Sequence, residues 1–427
     1  MKKCVIIGGG FAGLSAGVFL SNAGFNVEIL EASPKLGGRA YSFEDKDSGS
    51  IIDNGQHILM GCYKDTLKFI KLINAEDNLV FQKRLKVNFL KKDFEPFTLK
   101  ASPMFYPFNL LIGLLSYKAI SFNERLKLLI FFLKLHFYAD KELSKLTVKE
   151  WLEKERQNEN IRKAFWDFLA IGALNTSTKK ASAKTFADIL KKIFFRGNKA
   201  ATIILPRNGL TETYCNNSVQ FIESKEGSIS LSEQVLEIKI SNGSVLEIVT
   251  SKRSIEDFDY VISAVPLYAL EKIIAEENIF SKPDFSYSSI LTIHTWLKEN
   301  NLKEGFYGLI DSPIHWVFNH GTHITLVRSD ADEIIEKSKD ELFDLATCEL
   351  KTYTGINIDS IKSYKIIKEK RATYIPSNDI LNKRPSTKTS IKNLFLAGDW
   401  VETGLPSTIE SAVKSGRLSA EEILRIR

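Results

Sequence analysis

The first thirty-one residues leave little choice of fold. An apolar run, Cys4–Ile7, stops at three consecutive glycines; residues 11–24 then read as a helix, and a second run, 26–31, ends in Glu31. This order predicts strand, glycine turn, helix and strand, a βαβ unit of about 30 residues. Gly8, Gly10 and Gly13 form a G-x-G-x-x-G directly after the first strand. Gly8 permits the tight turn, Gly10 lets a pyrophosphate approach the backbone, and Gly13 lets helix and strand pack closely. The helix start offers free N–H groups and a positive dipole end to phosphates. Glu31 lies eighteen positions beyond Gly13, where an acid accepts from ribose hydroxyls and disfavours a 2′-phosphate. On this unit alone NAD and FAD are both admissible.

Three further segments favour the longer cofactor. Leu36-Gly37-Gly38-Arg39 follows the acid closely, so backbone can approach a ligand and Arg39 can neutralise a diphosphate. Asp53-Asn54-Gly55-Gln56-His57 is a polar cluster between apolar runs. Near the C-terminus, Gly398-Asp399 follows a strand over 393–398, and Ser407 and Glu410 have the spacing of a capping box. A helix is therefore expected to start at Ser407 and run over 408–425, its N-terminal end aimed at the flavin pyrimidine edge.

The rest of the chain sets limits. Its 427 residues allow two or three domains. The net charge of +6 is scattered and shows no basic face with interleaved aromatics, which argues against nucleic acid and leaves a slight attraction to anionic membrane. Cys4, Cys62, Cys215 and Cys348 make no paired spacing. No zinc or other metal site and no disulfide framework is expected, and a reducing, cytoplasmic setting fits. The N-terminal run is too short for a signal peptide, and no uncharged apolar stretch reaches the ~18 residues of a spanning helix.

Residues 64–200 read as mainly helical, for example over 122–138 and 160–172. Strands are expected at 229–239 and 244–250, joined at Asn242-Gly243, and at 259–266, 288–297 and 314–328. Segments Met104–Leu115 and Leu126–Phe137, in a chain with 28 Phe, could line an apolar tunnel or dock on a membrane.

These motifs resemble the flavin amine oxidase and phytoene desaturase superfamily, and within it the hydroxysqualene dehydroxylases. The likeness includes Asp53–His57 followed by Met60-Gly61-Cys62-Tyr63, Leu205-Pro206 with Gly209-Leu210, Pro313–Asn319, Lys370–Thr373, and Ala397–Trp400 with Thr403–Pro406 and Glu410–Gly416. It implies an α/β fold: a discontinuous Rossmann-like FAD-binding domain (1–80, 200–270 and 385–427) with an inserted α+β substrate domain (81–199 and 271–384). It implies FAD contacts at Gly8, Gly10, Phe11, Ala12, Gly13, Glu31, Ala32, Gly38, Arg39, Gly55, Gln56, His57, Val235, Gly398, Asp399, Ser407, Thr408 and Ile409. It also implies a long isoprenoid substrate, with hydride transfer at flavin N5 removing the hydroxyl of hydroxysqualene to give squalene. A phytoene-type desaturation is the alternative. His57, His315 and Trp316 are candidates for polarising the leaving hydroxyl. No second dinucleotide fingerprint is present, so NAD(P)H acting transiently or a partner reductase is the expected electron donor. The expected location is the cytoplasm, peripherally at the inner face of the membrane.

Overall fold

Strand Lys3–Ile7 is the middle strand of a five-stranded parallel sheet, ordered Ser228–Ser230, Asn26–Leu30, Lys3–Ile7, Tyr260–Ser263, Leu394–Leu396. The structure, a computed structural model, describes residues 1–275, 279–280 and 282–426. Residues 276–278 and 281, inside the 271–384 span expected for the substrate domain, lie outside it. From Cys4 to Ile7 the first strand is apolar because both its faces are covered. Cys4 and Ile6 pack on helix Phe11–Asn22 and the C-terminal helix Ile409–Arg425. Val5 and Ile7 face the antiparallel strands Val235–Ser241 and Ser244–Thr250 and helix Leu267–Ile273. The two helices touch closely at Gly416, where a Cβ would come within 2.3 Å of Ser15 Oγ and 2.4 Å of Ala12 O.

A seven-stranded sheet forms the second layer. Its order is Ile361–Tyr374, Tyr287–Leu297, His323–Ser329, Trp316–Asn319, Phe306–Leu309, Lys86–Leu90, Pro96–Lys100. One face meets helix Lys339–Thr354 through Leu291, Ile293 and Leu309. The other meets a helical block between residues 108 and 194 through Val87, Phe89, Phe306 and Phe318. Trp151, Trp166, Phe131 and Phe186 are fully buried in that block. Reciprocal capping boxes at Ser121–Glu124 and Thr147–Glu150 start two of its helices.

Four sequence expectations change. The strand expected over 229–239 is two strands in different sheets. Glu233 turns the chain between them: it is buried and bonded to Ser230, Thr250 and Arg253, and Ser232 has φ +51°. The region 64–200 also contains strands Leu79–Phe81, Lys86–Leu90 and Pro96–Lys100; the last two pair locally, while the first two also take distant partners in Ile203–Pro206 and Phe306–Leu309 respectively. The stretch 314–328 is a hairpin, Trp316–Asn319 with His323–Ser329. Helix 122–138 stops at Lys134. Strands 244–250 and 288–297, and the Asn242-Gly243 turn with both residues at positive φ, are found as expected. Among the described residues no helix is long and apolar enough to cross a membrane.

Candidate active site

Three backbone walls converge at the end of the first strand. Gly8, at φ +107°, turns the chain into the helix, and a Cβ on Gly13 would lie 1.9 Å from Gly8 O. Gly10 is different. Its nearest neighbours to an added Cβ are Gly38 Cα and Gly37 O, at 3.7 and 3.8 Å, so ordinary protein contact does not forbid a side chain there. Helix Phe11–Asn22 has no side-chain cap and no acid in its first turn, which leaves the N–H groups of Phe11, Ala12 and Gly13 for an anion. Glu31 accepts from Gly9 N at 2.7 Å and from Ser33 N at 2.8 Å, tying the glycine turn to the second strand. Exposed Ala32 follows it, and Val235 is buried beneath the same strand ends.

The C-terminal wall is held by Asp399. This buried carboxylate accepts from Arg39 Nη2 and from Ser407 Oγ. Burial alone would lower the Arg39 pKa, but the Asp399 charge and hydrogen bond outweigh it and hold the guanidinium above its usual value. Arg39 also donates to Ala372 O at 2.9 Å. Residues 360 positions apart are thus clamped together, and in this structure the counter-charge of Arg39 is Asp399. Gly398, at φ +141°, donates its N–H to Ser415 Oγ at 2.7 Å.

The capping-box expectation is corrected here. Thr408, not Ser407, is the N-cap, accepting from Ser411 N at 3.2 Å. Ser407 is drawn instead to Asp399. Glu410 reaches out of its own helix to accept from Asp65 N at 3.0 Å, Thr66 N at 2.9 Å and Thr66 Oγ1 at 2.7 Å, capping helix Lys64–Leu72. Burial pushes the Glu410 carboxyl up, and these donors oppose it.

Asp53 and Asn54 are positioning groups. Asp53 Oδ1 accepts from Ser42 Oγ at 2.6 Å and Leu210 N at 3.1 Å; Asn54 bridges Tyr41 N and Arg39 O. They present Gly55, Gln56 and His57 beside strand Tyr287–Leu297. A Cβ on Gly55 would sit 3.6 Å from Thr292 Oγ1 and 3.8 Å from His57 Cε1. Thr292 Oγ1 and His57 Nδ1 are both buried without a hydrogen-bond partner. Burial lowers the His57 pKa and raises that of Asp53, with their mutual attraction opposing both shifts. The uncapped end of helix Phe11–Asn22 and the unpartnered polar atoms beside Gly55 are what a long, polar-edged, doubly anionic cofactor would satisfy.

A cavity of about 430 Å³ opens beside the C-terminal wall. Pro406, Thr408 and Glu410 border one end; Val87, Phe89, Leu99, Phe165, Phe168, Leu169, Ile189, Ile193 and Trp316 make its apolar walls. Of the three catalytic candidates only Trp316 lines it. His315 faces a second cavity of about 380 Å³ with Lys163, Asp167 and Asp311, sharing Phe168 and Trp316 as a partition. Burial drives the His315 pKa down to about 3. His57 stands beside Gly55, outside the cavity lining.

Four of the polar groups at the cavity, Cys62, Tyr63, Lys192 and Lys414, have no site role in the sequence pattern. Lys192 Nζ donates to Gly404 O and Lys414 Nζ to Thr403 O, both at 2.7 Å. Burial and then Lys414 lower the Lys192 pKa, while burial pushes the Cys62 thiol up to about 12. One signal was available: Lys192 follows Ile189 by three positions on the apolar face of helix Ala183–Phe194. None of Met104–Leu115 or Leu126–Phe137 lines the cavity, so the tunnel-lining expectation for them is overturned. Their apolar side chains point either into the helical core or outward.

The family described as flavin containing amine oxidoreductase matches residues 11–424. The chain is 29% identical over 424 residues to hydroxysqualene dehydroxylase of Zymomonas mobilis, covering 99% of each. It is 27% identical to the 15-cis-phytoene desaturase of an Oncidium hybrid cultivar, covering 99% of this chain and 78% of that one. An oxidoreductase from Methanosarcina mazei shares the fold at a TM-score of 0.75 and 18% identity, covering 99% and 100% of the two chains. With the family match spanning almost its whole length, this chain belongs to the flavin containing amine oxidoreductases and is a flavin-dependent oxidoreductase.

Proposed function

We propose that the protein binds FAD and reductively removes the hydroxyl of hydroxysqualene. The observation that carries this reading is the apolar cavity ending at the N-terminus of helix Ile409–Arg425. A greasy ligand there lies against the C-terminal half of the cradle. Segments 1–80, 200–270 and 385–427 form the cofactor unit in this reading, and 81–199 with 271–384 the substrate unit. When bound, FAD supplies hydride chemistry that no side chain can.

The chain's own part begins with the cofactor. The N–H groups of Phe11, Ala12 and Gly13 hold the diphosphate and Glu31 the ribose. Ala32, Gly38 and Val235 shape the ADP end. Gly55, Gln56 and His57 back the ring, and the helix start at Ser407-Thr408-Ile409 favours negative charge at its far edge. The hydrophobic walls exclude water and align an allylic carbon. As the C–O bond breaks, hydroxide takes a proton and leaves as water. Lys192 Nζ, at the polar end of the cavity, is the donor we assign, because its lowered pKa eases proton release. A lipid-dissolved substrate places the enzyme peripherally on the cytoplasmic face of a membrane. Its flavin is reduced by NAD(P)H or a partner reductase.

The experiment is anaerobic: reduce the bound flavin, add hydroxysqualene, and follow flavin reoxidation together with squalene. Reoxidation with stoichiometric squalene supports the proposal; an unchanged flavin spectrum sinks it. The full-length similarity to a phytoene desaturase favours one second reading, hydride removal from a carotenoid precursor. Reduction of oxidised flavin by phytoene would select it.

A further inference from the structure

Helix Phe122–Lys134 and the turn after it carry two apolar faces. Leu128, Phe131, Phe132 and Leu135 are buried in the helical core. Phe122, Leu126, Ile130, Leu133 and Phe137 recur at intervals of four, four, three and four residues and point outward, from 37% exposed at Leu126 to 86% at Phe137. One stripe is enough to hold a helix against its core; a second stripe in register with the helix repeat, facing water, calls for another partner. Phe105, Phe108 and Ile112 extend this surface from the neighbouring segment, which packs on the same helix.

The surface adjoins the cavity. Tyr106 Oη donates to Phe194 O at 3.3 Å, and the His136 ring meets Phe195 edge-on at 4.4 Å. Phe194 and Arg196 both line the cavity. Exposed Lys118, Lys127, Lys134 and Lys141 fringe the apolar stripe, and Arg196 and Lys199 stand at the cavity. Lys134 pairs with Glu155. Of the carboxylates in this stretch, Glu124 is buried in its capping box, while Asp140 and Glu142 are exposed.

We infer that this face docks on an anionic lipid bilayer, with the outer stripe at the acyl boundary and the lysines among the headgroups. An apolar stripe with a basic fringe is what a helix needs to lie in the membrane interface. A second copy would cover the apolar side chains but would set the basic fringe against its own like charge. The docked orientation opens the cavity toward the bilayer. Only that last point rests on the isoprenoid reading.

The test is co-sedimentation of the flavin-loaded full chain with vesicles of phosphatidylcholine alone or mixed with phosphatidylglycerol. The expected result is pelleting with mixed vesicles and about tenfold weaker pelleting with neutral ones. The variant Ile130→Ser/Leu133→Ser/Phe137→Ser loses at least about tenfold of the binding to both. The variant Lys118→Glu/Lys127→Glu/Lys141→Glu loses only the preference for anionic vesicles. Both keep flavin absorbance and turnover of detergent-dispersed substrate. Wild type that stays in the supernatant, a serine variant that pellets like wild type, or a dimer on gel filtration that the serine variant dissolves would overturn the inference. The expected vesicle pattern with no turnover of hydroxysqualene by any of the proteins would sink the reaction and leave the docking surface standing.

Discussion

The proposed cofactor end of the molecule and its helical end are built on opposite principles. The cofactor end is made of backbone: glycines without Cβ atoms, free helix N–H groups, and one carboxylate, Asp399, clamping two distant segments. Its tolerances are set by main-chain contacts that cannot yield. The helical end is made of side chains. Phe131 meets Trp151 at 4.7 Å and Trp166 at 4.6 Å, and the preceding residue, Ile130, faces out. Position around the helix there decides everything, and chemistry hardly distinguishes inner from outer residues. A backbone site is unforgiving and easy to recognise; a side-chain block can change its surface freely and hides its function.

Gly13→Ala attacks the first principle directly. Its Cβ would meet Gly8 O, a main-chain atom, at 1.9 Å, so a loss of about 4 kcal/mol or more is expected, read as a collapse of Tm and of flavin content. Gly10→Ala sharpens the contrast, because the protein leaves room for that methyl. The apoprotein Tm should hold while FAD affinity falls at least about tenfold, the methyl standing where the pyrophosphate must approach. A large loss of apoprotein stability at Gly10 would break the distinction between folding and binding glycines.

In the helical block Phe131→Ala should cost about 3–5 kcal/mol, by denaturant titration, whereas Ile130→Ser should stay within about 0.5 kcal/mol. Equal effects would contradict the two-faced helix. Glu410→Ala leaves two backbone donors of helix Lys64–Leu72 and a buried hydroxyl without their acceptor, so about 2 kcal/mol of stability should go.

The smallest effect on the fold and the sharpest on chemistry falls at Lys192. Its lowered pKa means the ammonium is lost at a lower pH than in a free lysine. If it donates the proton, kcat falls as pH rises through that lowered value. Lys192→Arg should carry the alkaline limb to higher pH, and Lys192→Met should lower kcat by about 10²-fold and abolish the limb. An unchanged pH profile in both variants would remove Lys192 from the reaction.

Much of the cofactor end was legible in the chain itself. G-x-G-x-x-G between strands, Glu31 after the second strand and Gly398-Asp399 after the last one fix local backbone geometry, and local geometry is what short sequence patterns encode. Glu410 shows where that stops. Its spacing from Ser407 fits a capping box, yet its acceptors were worth more to the unsatisfied N–H groups of a helix 345 residues earlier. Arg39 likewise read as a phosphate ligand and stands opposite Asp399. Lys192 went unnoticed because its role comes from what Gly404 and Lys414 bring to it.

By itself the sequence determined the parallel βαβ core, the turn glycines and the flavin-binding class, because steric exclusion and helix ends act over a few residues. Only the tertiary structure decided which carboxylate answers which donor, that both candidate histidines fall outside the cavity, and which stripe of helix Phe122–Lys134 is core. Those outcomes depend on partners hundreds of residues away, and hydrogen bonds and burial are settled by whatever the fold brings within reach.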